Sequence, residues 1–128
     1  MFPIWQTFCN FAASNSNRIM AIKVRYLPEA HDFLKSIDDG AMEKVLYNVK
    51  KVRMGVKDKE IFKKLEGSNI WEFRTLHNGN CYRLLSFWDT RNETLIVATH
   101  GMMKKTQKTP KKEIAKAEAL RKEYFDNN

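Results

Sequence analysis

Asn78-Gly79 stands between two runs that alternate apolar and polar residues, Ile70 to Leu76 (IWEFRTL) and Cys81 to Trp88 (CYRLLSFW). Both residues of this dipeptide tolerate the positive φ angles of a two-residue turn whose twist matches paired strands. Placed between alternating runs, it specifies a β-hairpin. A two-residue loop also sets the register: His77 faces Asn80, Leu76 faces Cys81 and Arg74 faces Arg83. Two guanidiniums directly opposite on one sheet face repel. Glu72, two residues before Arg74, points to the same face and can neutralise or orient one of them. A phosphate can instead accept both, because guanidinium forks match phosphate geometry. Arg74 and Arg83 are therefore candidate phosphate ligands, with Glu72 in an orienting role. The alternative is a surface Glu–Arg ladder with both arginines splayed into solvent.

The period of the apolar residues differs before and after this hairpin's neighbourhood. AIKVRY at 21–26 alternates like a half-buried strand. Leu27-Pro28-Glu29 opens a helix, since proline is tolerated in the first turn and an acid there suits the helix dipole. Leu27, Ala30, Phe33, Leu34 and Ile37 follow helical spacing until Asp38-Asp39-Gly40. A second helix carries the core stripe Met42, Val45, Val49, Val52 and Val56, with Lys44, Lys50, Lys51 and Arg53 on its other face. From residue 61 the period becomes two. Ile61 to Glu66 is a candidate short strand, and Glu93 to His100 a third strand of the meander after a turn at Asp89 to Asn92. Thr109 as N-cap and Pro110 start a last helix with Ile114, Ala117, Leu120 and Tyr124 on its apolar side. The order predicts an α+β domain: an N-terminal strand and a helical hairpin packed on a small, mostly antiparallel sheet, followed by a C-terminal helix. The helices are expected on one face, and the first strand in the sheet's middle or at its edge.

A chain of 128 residues suits one domain, and 43% hydrophobic residues suffice for a core. Lys and Arg total 23 against 15 Asp and Glu, a formal charge of +8. A small basic domain favours an anionic partner: nucleic acid, ribosome, membrane headgroups or an acidic protein. Two cysteines, Cys9 and Cys81, exclude a disulfide-dense scaffold and a multi-cysteine zinc site, and point to the cytoplasm. No apolar run approaches the length of a membrane span. The apolar start MFPIWQTFCNFAAS lacks the basic n-region of a signal peptide. Residues 1–19 are expected to be a disordered extension, or to lie upstream of a true start at Met20. The domain is expected over 20–128.

Five lysines (Lys104, Lys105, Lys108, Lys111 and Lys112) fall in nine residues with no acid among them. They follow directly from the last strand, so they are tied to the sheet and form a candidate phosphate-binding edge. The alternative is a solvated basic linker. Clustering lowers a lysine's pKa, so one lysine of this run is also a candidate proton carrier. Lys63 and Lys64 add to the basic surface, and alternation lets at most one of them share Arg74's face. Among the histidines, His31 reads as a surface residue and His77 as a turn residue. His100, beside the lysine run, is the one acid–base candidate. No pair of histidines has metal-ligand spacing, and no phosphate or dinucleotide loop is present, so neither metal nor cofactor is expected.

IWEFR at 70–74, CYRLLSF at 81–87, Val97 to Met103, and KKTQKTP at 104–110 followed by an amphipathic helix together resemble the HigB-type branch of the RelE/ParE-family toxins, phage-related relatives included. The match covers about residues 20–128. The family pattern has an aromatic residue near Met102 or Met103, and this chain has methionine there. The resemblance implies a RelE-like fold and the toxin of a type II toxin–antitoxin system. It implies a metal-independent, ribosome-dependent mRNA endonuclease (an mRNA interferase) that inhibits translation through attack by the RNA's own 2′-hydroxyl. Basic residues can supply the base, the cations for the pentacovalent phosphate and the acid that such a reaction needs. In that scheme Arg74 and Arg83 hold the scissile phosphate and Glu72 orients an arginine. Lys104, Lys105 and His100 serve in proton transfer or clamping. Lys63, Lys64, Lys108, Lys111 and Lys112 bind RNA. The implied partners are the ribosome with its mRNA and a cognate helix-turn-helix antitoxin, with no membrane. Two other readings stay open: a ParE-like gyrase poison and a non-catalytic nucleic-acid-binding module.

Overall fold

The change of period near residue 61 divides the chain into a helical first half and a strand-rich second half. The structure, a computed structural model, describes residues 22–91, 95–103 and 108–127. The expectation for residues 1–19 therefore concerns positions outside the described residues, as do the roles given to Lys104 and Lys105. The elements run β1 (Lys23–Tyr26), α1 (Pro28–Ser36), α2 (Asp39–Arg53), β2 (Phe62–Lys64), β3 (Trp71–His77), β4 (Asn80–Asp89), β5 (Leu95–Met103) and α3 (Lys111–Asn127). The α+β fold expected from the sequence is present. No helix among the described residues is long and apolar enough to cross a membrane.

The five strands form one sheet in the order β1-β5-β4-β3-β2. The β3–β4 hairpin takes the expected register, with His77 opposite Asn80, Leu76 opposite Cys81 and Arg74 opposite Arg83. Asn78 and Gly79 have φ of 49° and 78°, the left-handed pair that a tight hairpin turn demands. The first strand lies at an edge and runs parallel to β5, as a strand reached through a helical crossover does.

The helices cover both faces of the sheet, which corrects the one-face expectation. Helices α1 and α2 pack with Phe73, Tyr82, Leu84, Ile96 and Ala98. Helix α3 packs through Ala117 and Tyr124 with Leu85, Phe87, Val97 and Met102. The reason lies in β4. CYRLLSFW places apolar residues on both alternations, so this central strand needs cover on each side.

Three local features position the site. The β4–β5 ladder is irregular at Leu85/Ser86: Ser86 pairs with Ala98 but Leu85 pairs with His100, leaving Thr99 as the extra residue. The bulge inverts the alternation, so His100 turns to the α3 face although Ile96 and Ala98 face α1 and α2. Gly101 is required by packing, because a Cβ there would run into the Phe33 ring of α1. The N-terminus of α2 is capped by the Asp38 carboxylate, which accepts from the Ala41 amide at 2.9 Å. Helix α2 ends at Arg53, whose Nε donates to the Ile22 carbonyl at 2.9 Å. Val56, expected in the core stripe, consequently falls beyond the helix and is exposed.

Candidate functional site

Register brings the predicted polar residues together on the α3 face of the sheet. Lys63 pairs with Glu72, Glu72 with Leu85, and Leu85 with His100, forming one row across four strands. The next row is Arg74, Arg83 and Met102. Lys64 pairs with Trp71 and so belongs to the opposite face.

Arg83 and Glu72 form a buried ion pair, 2% and 0% exposed, with Arg83 Nη1 at 3.2 and 3.3 Å from the two carboxylate oxygens. Thr109 joins them. Its hydroxyl donates to Glu72 Oε2 and accepts from Arg83 Nη1 at 3.0 Å. The expected N-cap role of Thr109 is therefore replaced. Its hydroxyl fastens the segment entering α3 to β3 and β4, because a buried carboxylate and guanidinium need their remaining bonding capacity filled. The Glu–Arg pairing anticipated from the sequence exists, but in the interior.

Arg74 differs from its cross-strand neighbour. It is half-buried and makes no ion pair among the described residues. The Cys81 side chain, then Glu72 and Glu60, hold its guanidinium more firmly in the charged form against the cost of burial. Its Nε is buried without a hydrogen-bond partner among the described residues. A buried donor left unsatisfied is costly, so an external acceptor that reached Arg74 would be favoured.

His100 is 4% exposed, and both ring nitrogens are engaged. Nδ1 lies 3.1 Å from Thr99 Oγ1, and Nε2 lies 3.1 Å from Glu113 Oε1 of α3. Desolvation pushes its pKa below the usual value, with Glu113 opposing. In the neutral ring Nε2–H donates to the Glu113 carboxylate, while the Thr99 hydroxyl donates to the Leu85 carbonyl at 3.2 Å. That geometry makes His100 a tie between β5 and α3. Glu113 was not foreseen, although it is the one acid between Lys104 and Ala117 and follows Thr109 by four residues, one helical turn.

Lys108, Lys111 and Lys112 are exposed around the start of α3. Cations there oppose the positive end of the helix dipole, with only Glu113 as an acid in the first turn. Helix stability alone would not select them, whereas an anion bound there would gain from both the dipole and the ammonium groups. No cluster of side chains among the described residues is arranged to hold a metal ion.

A helical hairpin, a five-stranded sheet carrying a polar row on one face, and a C-terminal helix pinned over that row make one α+β domain. The chain belongs to the family described as phage derived protein Gp49-like (DUF891), whose model matches residues 32–122. The resemblance to phage-related RelE-type proteins is thereby borne out at the level of the family. No curated protein matches the chain. The toxin–antitoxin complex RelBE2 from Mycobacterium tuberculosis is a solved structure similar to this chain. It shares 20% identity over 66% of this chain and 99% of that chain, with a TM-score of 0.42.

Proposed function

We propose that this chain is the toxin of a type II toxin–antitoxin pair and acts as a metal-independent, ribosome-dependent mRNA endonuclease. Its family membership supports the toxin reading. The single observation that carries the chemistry is the cross-strand arginine pair, in which Glu72 neutralises Arg83 and leaves Arg74 as the cation for a phosphate. Arg74 binds the scissile phosphodiester and stabilises the charge that builds on it during attack by the 2′-hydroxyl. Arg83 is a positioning residue in this scheme, because its guanidinium is enclosed by Glu72 and Thr109. Lys63, Lys108, Lys111 and Lys112 hold flanking phosphates. Lys104 or Lys105 moves the proton or clamps the phosphate. The ribosome presents the mRNA, and a cognate antitoxin neutralises the protein in the cytoplasm.

The test is induction of the chain in a bacterial host with mapping of mRNA 5′ ends, beside an Arg74→Ala control. Codon-positioned cuts and growth arrest are expected from the wild type. Removing a donor of this kind typically lowers rate about 10²–10³-fold. DNA breaks with intact mRNA would replace this reading with gyrase poisoning. Salt-sensitive RNA binding without cleavage on programmed ribosomes would reduce it to a binding module.

A further inference from the structure

On the face opposite the Arg74–Arg83 row, at the end of the sheet away from the hairpin, lies a groove of about 400 Å³. Ile22, Val52, Val56, Phe62, Trp71 and Trp88 supply its apolar lining. Its aromatic floor is packed in place: Phe62 stacks on Trp71 at 4.9 Å, and Trp71 meets Trp88 edge-on at 6.1 Å. The reaction proposed above uses none of these residues.

The rim is apolar and open. Val56 and Met54 are 46% and 47% exposed, and Tyr47, two turns back along α2, is 53% exposed. Of the five large apolar side chains most exposed among the described residues, Val56 lines the groove and Met54 precedes it by two residues, and exposed apolar surface of this kind suits an interaction site. Nothing lies within 4 Å of where a Cβ would stand on Gly55, between Met54 and Val56. The charge around the groove is mainly positive. Lys57 and Lys59 line it beside Asp58, and over residues 50–60 Lys50, Lys51, Lys57 and Lys59 outnumber the two acids, Asp58 and Glu60, while Arg53 is engaged with the Ile22 carbonyl. Lys51 lies over the Tyr47 ring, 4.8 Å from its centroid, so cation and apolar ring are presented together.

An apolar groove with a lysine rim suits a protein segment better than a nucleic acid. Phosphates would gain from the lysines but would leave Val52, Val56 and the aromatic floor wet. A segment with apolar anchors and flanking carboxylates satisfies both parts of the surface. We infer that this groove docks the antitoxin through an acidic amphipathic segment, its apolar side chains over Val56 and the Trp71–Trp88 floor and its carboxylates on Lys51, Lys57 and Lys59. The inference rests on the toxin reading above and adds to it the surface by which the partner is held.

The experiment uses the full chain and the product of the adjacent reading frame, with affinity measured by titration and contacts by hydrogen exchange. Val56→Glu alters an exposed position and is expected to keep the wild-type melting midpoint while weakening the complex at least tenfold. Leu76→Glu, equally apolar and 57% exposed at the hairpin end, is expected to bind like the wild type. Slowed exchange is expected at residues 54–59 in the complex. Wild-type affinity in Val56→Glu, or protection confined to α3 and the hairpin, would overturn the docking site. Protection of 54–59 by an RNA oligonucleotide but not by the adjacent product would reassign the surface to nucleic acid and overturn it too. A wild-type chain that arrests growth yet leaves 54–59 unprotected in the complex rejects this site alone. A chain that neither arrests growth nor binds the adjacent product rejects the toxin reading with it.

Discussion

The two arginines of the hairpin share a sheet face and a register position, yet they carry different burdens. Arg83 is enclosed with Glu72 and Thr109, and Arg74 is not. Replacing one member of a buried ion pair leaves the other charged and unpaired, which costs about 3–5 kcal/mol. Arg83→Ala is therefore expected to lower stability by that order in chemical denaturation, and to lose activity through the fold. Arg74→Ala is expected to unfold near the wild-type midpoint and to lose activity through the site. Equal destabilisation of the two variants would contradict the division. The pairing of the arginines was legible in Asn78-Gly79, because a two-residue turn leaves one register. Which arginine Glu72 would take was not legible. That depended on Thr109, which lies 37 residues from Glu72 and reaches it only after α3 folds back over the sheet.

At the scale of elements, the bulge in β5 and the glycine after it decide what the last strand offers. Without Thr99 as an extra residue, His100 would face α1 and could not meet Glu113. Gly101 admits the Phe33 ring, so α1 lies close against β5. Gly101→Ala is expected to cost about 1–3 kcal/mol by overpacking. Combining it with Phe33→Leu is expected to recover part of that loss, so that the two changes are non-additive in a denaturation cycle. The sequence shows His-Gly at this point but no sign of a bulge, because a bulge is a relation between two strands. The end of α2 was misplaced for a related reason. Val56 continues the 3-4 spacing, but the helix stops at Arg53 and Gly55 takes a φ of 93°.

In the whole molecule, α3 is held over the sheet at several points along its length. Thr109 binds Glu72, Glu113 binds His100, Lys116 pairs with Glu29 of α1, and the Tyr124 hydroxyl donates to Asp89 at 2.8 Å. Two of these ties depend on pH in the same direction. His100 has a pKa below its usual 6.5, chiefly from desolvation, so the unfolded chain binds a proton there more readily than the folded one. Asp89 is held well below the usual carboxylate range, first by its hydrogen bond with Arg91 and also by Tyr124. Each contribution is fully present above the unfolded pKa and is lost as pH falls. Melting temperature is expected to decline from about pH 6.5 downward through His100, and further below pH 3.8 through Asp89. His100→Gln is expected to flatten the first limb and leave the second. A melting temperature that rises on acidification would contradict both assignments. Periodicity, turn chemistry and charge order by themselves determined the elements, the hairpin register, the basic character of the chain and the resemblance that led to its family, because each is written in neighbouring residues. Tertiary structure alone decided which face α3 covers, that Arg83 is sealed while Arg74 remains half-buried without an ion pair among the described residues, and that His100 is a tie to Glu113. Burial and pairing depend on residues that meet only when distant segments close on one another.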